Sequence, residues 1–108
     1  MTEQDFLELK NLITIAHHVP GRIRLKLNLR ILQHPAAKAL ASLSGGKPEV
    51  GLLSARLNPL AQSLVLEYDT SKISPETLDD FLTSSDIAHV TTLARSVAAL
   101  LGIQLTTG

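Results

Sequence analysis

Cysteine is absent from all 108 residues. That excludes disulfides, thiolate metal sites, iron–sulfur ligation and a cysteine nucleophile, and it is compatible with the cytoplasm, the expected location. Aromatics are scarce: no Trp, one Tyr and two Phe. The core must therefore be built from Leu, Ile, Val and Ala, and few rings are available to stack on bases. No charge of one sign dominates, since ten Lys and Arg offset ten Asp and Glu, which gives no support for a general polyanion binder. No apolar run approaches the roughly 20 residues that a bilayer requires; the longest lies toward the C-terminus and is interrupted by Arg95. Residues 1–10 carry Glu3, Asp5 and Glu8 and do not read as a secretory signal. Motifs of catalysis are missing as well. Gly45-Gly46 follows a helix pattern instead of opening one, so there is no phosphate-cradling loop. No serine sits in a motif that supplies a base and an oxyanion hole. Asp79 and Asp80 are adjacent on a helix pattern and diverge, so they make a poor carboxylate pair. The chain is not expected to be an enzyme.

What is present suits one domain: a length that leaves no room for two, and 44% hydrophobic residues. Residues 3–10 read as a short helix with Phe6 and Leu9 on one side. Residues 12–29 read as one long strand, with Ile13, Ile15, His17, Val19, Ile23, Leu25, Leu27 and Leu29 on odd positions and polar residues on most even ones. Pro20-Gly21 interrupts it, so the first half is expected to be irregular and residues 22–28 regular. His34-Pro35 opens a helix, with Ala36, Ala39, Leu40 and Leu43 as its apolar stripe and Gly45-Gly46 as its stop. A strand over residues 51–57 places Leu53, Ala55 and Leu57 inward. After the turn at residues 58–61, a strand over residues 63–68 places Leu64, Leu66 and Tyr68 inward. Ser74 caps a helix that begins at Pro75, with Ile73 and Leu78 as a hydrophobic staple and Leu78, Phe81 and Leu82 facing in. Beyond it, residues 87–91 read as a short fourth strand or as the start of a helix capped by Ser85. Spacings of three and four among Ile87, Val90, Leu93, Val97, Leu100 and Leu101 favour the helix.

The order β-α-β-β-α is the split βαβ pattern. It predicts an α+β, ferredoxin-like fold whose antiparallel sheet carries its helices on one face. The expected organisation is an N-terminal extension over residues 1–10, the domain over 11–91 and a helical tail over 92–108.

The segments His18-Val19-Pro20-Gly21-Arg22-Ile23-Arg24-Leu25, Ser54-Ala55-Arg56-Leu57-Asn58-Pro59 and Ser63-Leu64-Val65-Leu66-Glu67-Tyr68-Asp69 resemble a divergent heavy-metal-associated domain family. The resemblance covers roughly residues 12–82. It implies a ferredoxin-like fold and an association with metal transport or homeostasis, with a metal-transporting ATPase or another metal-handling protein as the partner. Such domains usually hold soft metals through a C-x-x-C pair between the first strand and first helix. The corresponding residues 28–34 contain no thiolate, so that site is lacking.

Two sets of side chains are candidates for binding. Arg22, Arg24 and Lys26 alternate on one strand, and Arg56 projects from the same face of a neighbour, with Glu67 as the counter-charge. Guanidinium groups suit carboxylate or phosphate partners. The alternative is a solvated face of cross-strand pairs. His17 and His18 are the second set, as transition-metal ligands. Being adjacent, they point to opposite faces of a regular strand, and only a bulge at Pro20-Gly21 would bring both to one ion. The reading that follows is a non-enzymatic interaction or regulatory module without a cofactor, docking on a protein through its sheet face or tail. The alternatives are direct metal binding by the histidines and homo-oligomerisation through the tail helix. Nucleic acid is not expected as a partner, because the face lacks aromatics.

Overall fold

A computed structural model describes residues 2–34, 37–43 and 45–105. Helix α1 (Glu3–Lys10) is followed by β1 (Ile13–Val19), β2 (Arg22–Leu27), a 3-10 turn (Leu29–Gln33), α2 (Ala37–Ser42), β3 (Leu52–Asn58), β4 (Ser63–Tyr68), α3 (Pro75–Thr83) and α4 (Ile87–Leu100). The chain is α+β, and its four strands form one antiparallel sheet in the order β1-β2-β4-β3.

The long strand expected over residues 12–29 is a hairpin. Val19 pairs with Arg22 across a two-residue turn made by Pro20 and Gly21. Gly21 has φ +88°, which suits the second central position of a type II turn, with proline's fixed φ at the first. The continuous alternation arises from two phase changes that cancel. Pairing across a two-residue turn joins odd positions to even ones, so Ile23 lies opposite His18. A bulge between Ile15 and His17 then inserts one extra residue, Ala16, and pairs odd with odd: Ile15 with Leu25 and Ile13 with Leu27. Only the window between bulge and turn is inverted. There His17 and Val19 are exposed and His18 turns under the sheet, the opposite of the odd-positions-inward expectation.

A second bulge, between Leu52 and Ser54, has the same effect on β3. Leu52 is fully buried while Leu53, expected inward, is 51% exposed. Ala55 faces in as expected. Leu64, Leu66 and Tyr68 of β4 are all buried, as are both staple residues, Ile73 and Leu78.

Helices α1, α3 and α4 each contribute buried side chains to the core that the sheet residues share. Thr2 caps α1 and shares a reciprocal capping box with Asp5. The Thr2 backbone N–H, which donates to Asp5 Oδ2, and the adjacent Thr2 side chain hold the Asp5 carboxyl below the usual carboxylate range. Phe6 and Leu9 on α1 join the same core cluster as the sheet residues, and the Phe6 and Phe81 rings stack at 5.2 Å between centroids. Residues 87–91 are helical, so no fourth strand follows α3. The cap of α4 is Asp86, which accepts from the His89 backbone N–H, and not Ser85. Val90, Ala94, Val97, Ala98 and Leu100 of α4 are buried in this same core. Each large apolar side chain so enclosed contributes about 1.5–3 kcal/mol relative to exposure.

Residues 30–33, between the expected strand and the expected helix, form a 3-10 turn anchored by buried Ile31, and Leu29, expected as the last inward residue of the strand, begins that turn and is exposed. The expected helix start at Pro35 and the stripe residue Ala36 lie outside the described residues, as do the side chains of Ala39 and Leu40. Leu43 of that stripe is buried.

Candidate docking face

Strand pairing arranges the uncovered face of the sheet as a grid. Across β1, β2, β4 and β3, one row reads Val19, Arg22, Glu67, Ser54. The next reads His17, Arg24, Val65, Arg56, and the third Thr14, Lys26, Ser63, Asn58. The structure thus brings Arg22, Arg24, Lys26 and Arg56 together on one exposed face, as expected. Arg24 and Arg56 flank Val65 from two strands apart, about 10 Å at ordinary strand spacing. His17 lies beside Arg24 and, with Val19 and Arg22, lines a shallow depression near the turn.

Glu67 is the one acid on this face. It stands opposite Arg22 in the ladder, yet its carboxylate accepts a hydrogen bond from the Ser54 hydroxyl at 3.2 Å. Among the described residues, no carboxylate comes within 4.0 Å of any of the four cations. The acids are gathered elsewhere. Seven of the ten belong to α1, α3 or the start of α4: Glu3, Asp5, Glu8, Glu76, Asp79, Asp80 and Asp86. A chain with no net charge is therefore polarised, with a basic sheet face and acidic helices. Charge segregation of this kind produces a directional field that total charge does not report.

His17 and His18 leave β1 on opposite faces, because the bulge precedes both of them. The structure does not bring them to one point. His18 belongs to a different constellation, which sequence reasoning missed. Its side chain is 7% exposed, and its Nδ1 lies 2.6 Å from Asp79 Oδ1 on α3. Its Nε2 lies 2.6 Å from the Tyr68 hydroxyl on β4. An ionised carboxylate only accepts, so Nδ1–H donates to Asp79, and in that tautomer Nε2 accepts a hydrogen bond from the Tyr68 hydroxyl. Burial pushes the Tyr68 phenol above its ordinary value. A buried, neutral, hydrogen-bonded phenol is no nucleophile. What the trio does is tie the end of edge strand β1 to β4 and α3, which fixes the hairpin carrying Arg22 and Arg24. Asp79, read from the sequence only as half of a poor carboxylate pair, is the outer end of this link. No local signal marks it, since its three members lie far apart in the chain and meet only because Ala16 bulges.

Between sheet and helices there is a cavity of about 50 Å³, lined mainly by apolar side chains such as Ile23, Leu66 and Phe81. Small-molecule sites run to about 300–1,000 Å³, so this one is too small for a metabolite. No helix among the described residues is long and apolar enough to cross a membrane.

No family model, curated protein or solved structure matches this chain.

Proposed function

We propose that this chain is a non-enzymatic docking module that binds an acidic segment of a partner protein across its open sheet face. The observation that carries the reading is the set of four cations, Arg22, Arg24, Lys26 and Arg56, on one face with no carboxylate within 4.0 Å among the described residues. Unpaired guanidinium groups on a pleated, rigid surface are preorganised for bidentate carboxylate recognition. Val19 and Leu53, both exposed on β1 and β3, supply apolar contact at the edges. The absence of aromatic side chains from this grid favours a carboxylate-bearing peptide over single-stranded nucleic acid, which needs stacking platforms.

The strand order supports a ferredoxin-like reading in which the edge beside β2 is supplied from the N-terminal side, by β1, instead of by a strand after the last helix. The resemblance of residues 12–82 to heavy-metal-associated domains supports a regulatory role in metal transport or homeostasis, in the cytoplasm, with an acidic region of a metal-transporting ATPase or another metal-handling protein as the partner.

A glutamate-rich peptide of about 15 residues serves as the probe. Binding measured by fluorescence anisotropy should weaken steeply with salt. The pair Arg24→Glu and Arg56→Glu should weaken it at least tenfold, about 1.4 kcal/mol, while Arg95→Glu on α4 leaves it unchanged. Equal binding by the wild type and the double reversal would remove the sheet face from consideration. Stronger binding to oligouridylate than to the peptide would contradict the assigned partner class. Light scattering of the free chain separates this reading from self-association of basic face on acidic helices: a monomer is expected, and oligomers dissolved by the same double reversal would replace the foreign partner with a second copy.

A further inference from the structure

The acidic half of the molecule contains a second constellation, independent of the docking face. Asp5 and Glu8 stand three residues apart on α1 and so share one side of the helix. His34 ends the 3-10 turn that follows β2, its backbone N–H bonded to the Ile31 carbonyl. Buried Ile31 draws that turn onto the core and sets the imidazole against α1. The His34 side chain is 13% exposed, and its Nε2 lies 3.9 Å from Glu8 Oε1. One ligand atom from each of Asp5, Glu8 and His34 lies within 4.8 Å of the other two.

We infer that Asp5, Glu8 and His34 form a binding site for a divalent transition-metal cation of the zinc type.

The donor set selects the ion class. One imidazole with two carboxylates suits Zn²⁺, Co²⁺ or Ni²⁺, whereas Mg²⁺ and Ca²⁺ prefer all-oxygen shells and Cu(I) needs sulfur. Two carboxylates offset a charge of 2+. Three protein donors with one position left for water is a common open zinc arrangement. Bonds of about 2.0–2.1 Å in a tetrahedron place donors about 3.4 Å apart, so the present spacing must close by about 1.5 Å at its widest. Glu8 can supply that movement, because its side chain is 47% exposed and flexible. The Asp5 carboxylate is already oriented by its Oδ2 contact with the Thr2 backbone N–H, the kind of outer hydrogen bond that positions metal-binding carboxylates. Among the described residues, no lysine or arginine lies within 4.0 Å of the Asp5 or Glu8 carboxylate oxygens. Lys10 donates instead to the Ser84 carbonyl at 3.3 Å, and Arg95 lies with Glu3 at 3.6 Å. The four cations of the sheet face lie on the other side of the sheet, where they repel an incoming ion least.

The full chain titrated with Zn²⁺ by calorimetry, and with Co²⁺ by its visible absorption, tests this. One ion per chain is expected. His34→Ala and Glu8→Gln should each weaken binding at least tenfold, with millimolar Mg²⁺ not competing and His17→Ala unchanged. Zinc should also raise the melting temperature of the wild type and not that of Glu8→Gln. Glu8 is exposed, so this variant folds even if His34→Ala does not. No Co²⁺ or Zn²⁺ uptake at millimolar concentration would overturn the site, as would unweakened binding by Glu8→Gln. Loss of binding on His17→Ala would move the site to β1.

Discussion

Replacing Tyr68 by Phe removes one oxygen from the core and tests the bulge at Ala16 directly. The bulge turns His18 under the sheet, where Nε2 accepts from the Tyr68 hydroxyl at 2.6 Å. In Tyr68→Phe that nitrogen, on a side chain only 7% exposed, keeps no acceptor role and meets little water. Losing the bond and leaving a buried polar atom unsatisfied costs about 1–3 kcal/mol. An unfolding entropy of about 2.1 cal/mol/K per residue gives roughly 0.23 kcal/mol/K for a chain of 108 residues. A midpoint cost of ~2 kcal/mol therefore lowers Tm by ~9 °C. Thermal and urea unfolding followed by circular dichroism measure it. His18→Leu should cost a similar amount, because it strands the phenol instead. The double variant should cost less than the two singles together by on the order of 1 kcal/mol, since each single removes the partner of the other group and the double removes that mutual penalty. Asp79, half exposed, turns to water in that variant and adds little. Strict additivity would refute the reasoning, as would a Tyr68→Phe cost below about 0.5 kcal/mol, the usual range for a surface change. Either result would mean that His18 does not lie beneath the sheet. His17→Leu, on the exposed side of the same strand, is the control and should stay within about 0.5 kcal/mol.

Tyr68 is the only tyrosine and there is no tryptophan, so absorbance near 295 nm follows one phenol: its midpoint should lie above the ordinary value of about 10 in the folded chain and return to about 10 in denaturant. The associated stability is present below pH ~10 and is lost as pH rises toward the raised folded value, because the unfolded chain releases its proton first; a folded midpoint at or below 10 would contradict the burial assigned to the ring. Gly45 and Gly46 have φ +88° and +80°, so alanine at either is strained, but a Cβ on Gly46 would sit 2.9 Å from the Leu52 and Leu53 carbonyl oxygens while one on Gly45 meets nothing within 4 Å. Gly46→Ala should therefore lose about 1–3 kcal/mol more than Gly45→Ala in the same unfolding assay, and equal losses would mean that the loop does not pack on β3.

Polarisation of the charges lets a chain of zero formal charge present the two proposed sites of opposite preference. The basic grid and the acidic cluster of α1 sit on different layers, so neither screens the other at contact range. The Debye length of about 8 Å at physiological salt keeps each field local.

Local rules settled what local physics controls. The alternation in Ile23, Leu25 and Leu27, and in Leu64, Leu66 and Tyr68, assigned buried faces correctly, because successive residues of a strand must point oppositely. Ser74, Pro75 and the Ile73–Leu78 staple placed the start of α3, because capping involves only neighbours. The grouping of Arg22, Arg24, Lys26 and Arg56 was legible for the same reason. Tertiary structure decided where the phase of that alternation changes. A two-residue turn and a single inserted residue at Ala16 each reverse parity, and together they leave a pattern that looks unbroken from Ile13 to Leu27. The bulge is a feature of the pairing with β2, and so only the folded sheet sends His17 out and His18 in. The same holds for His34, which meets Asp5 and Glu8 because buried Ile31 pulls a distant turn onto α1. Contacts between remote segments are fixed by the packing of the whole core, and no short stretch of sequence contains that information.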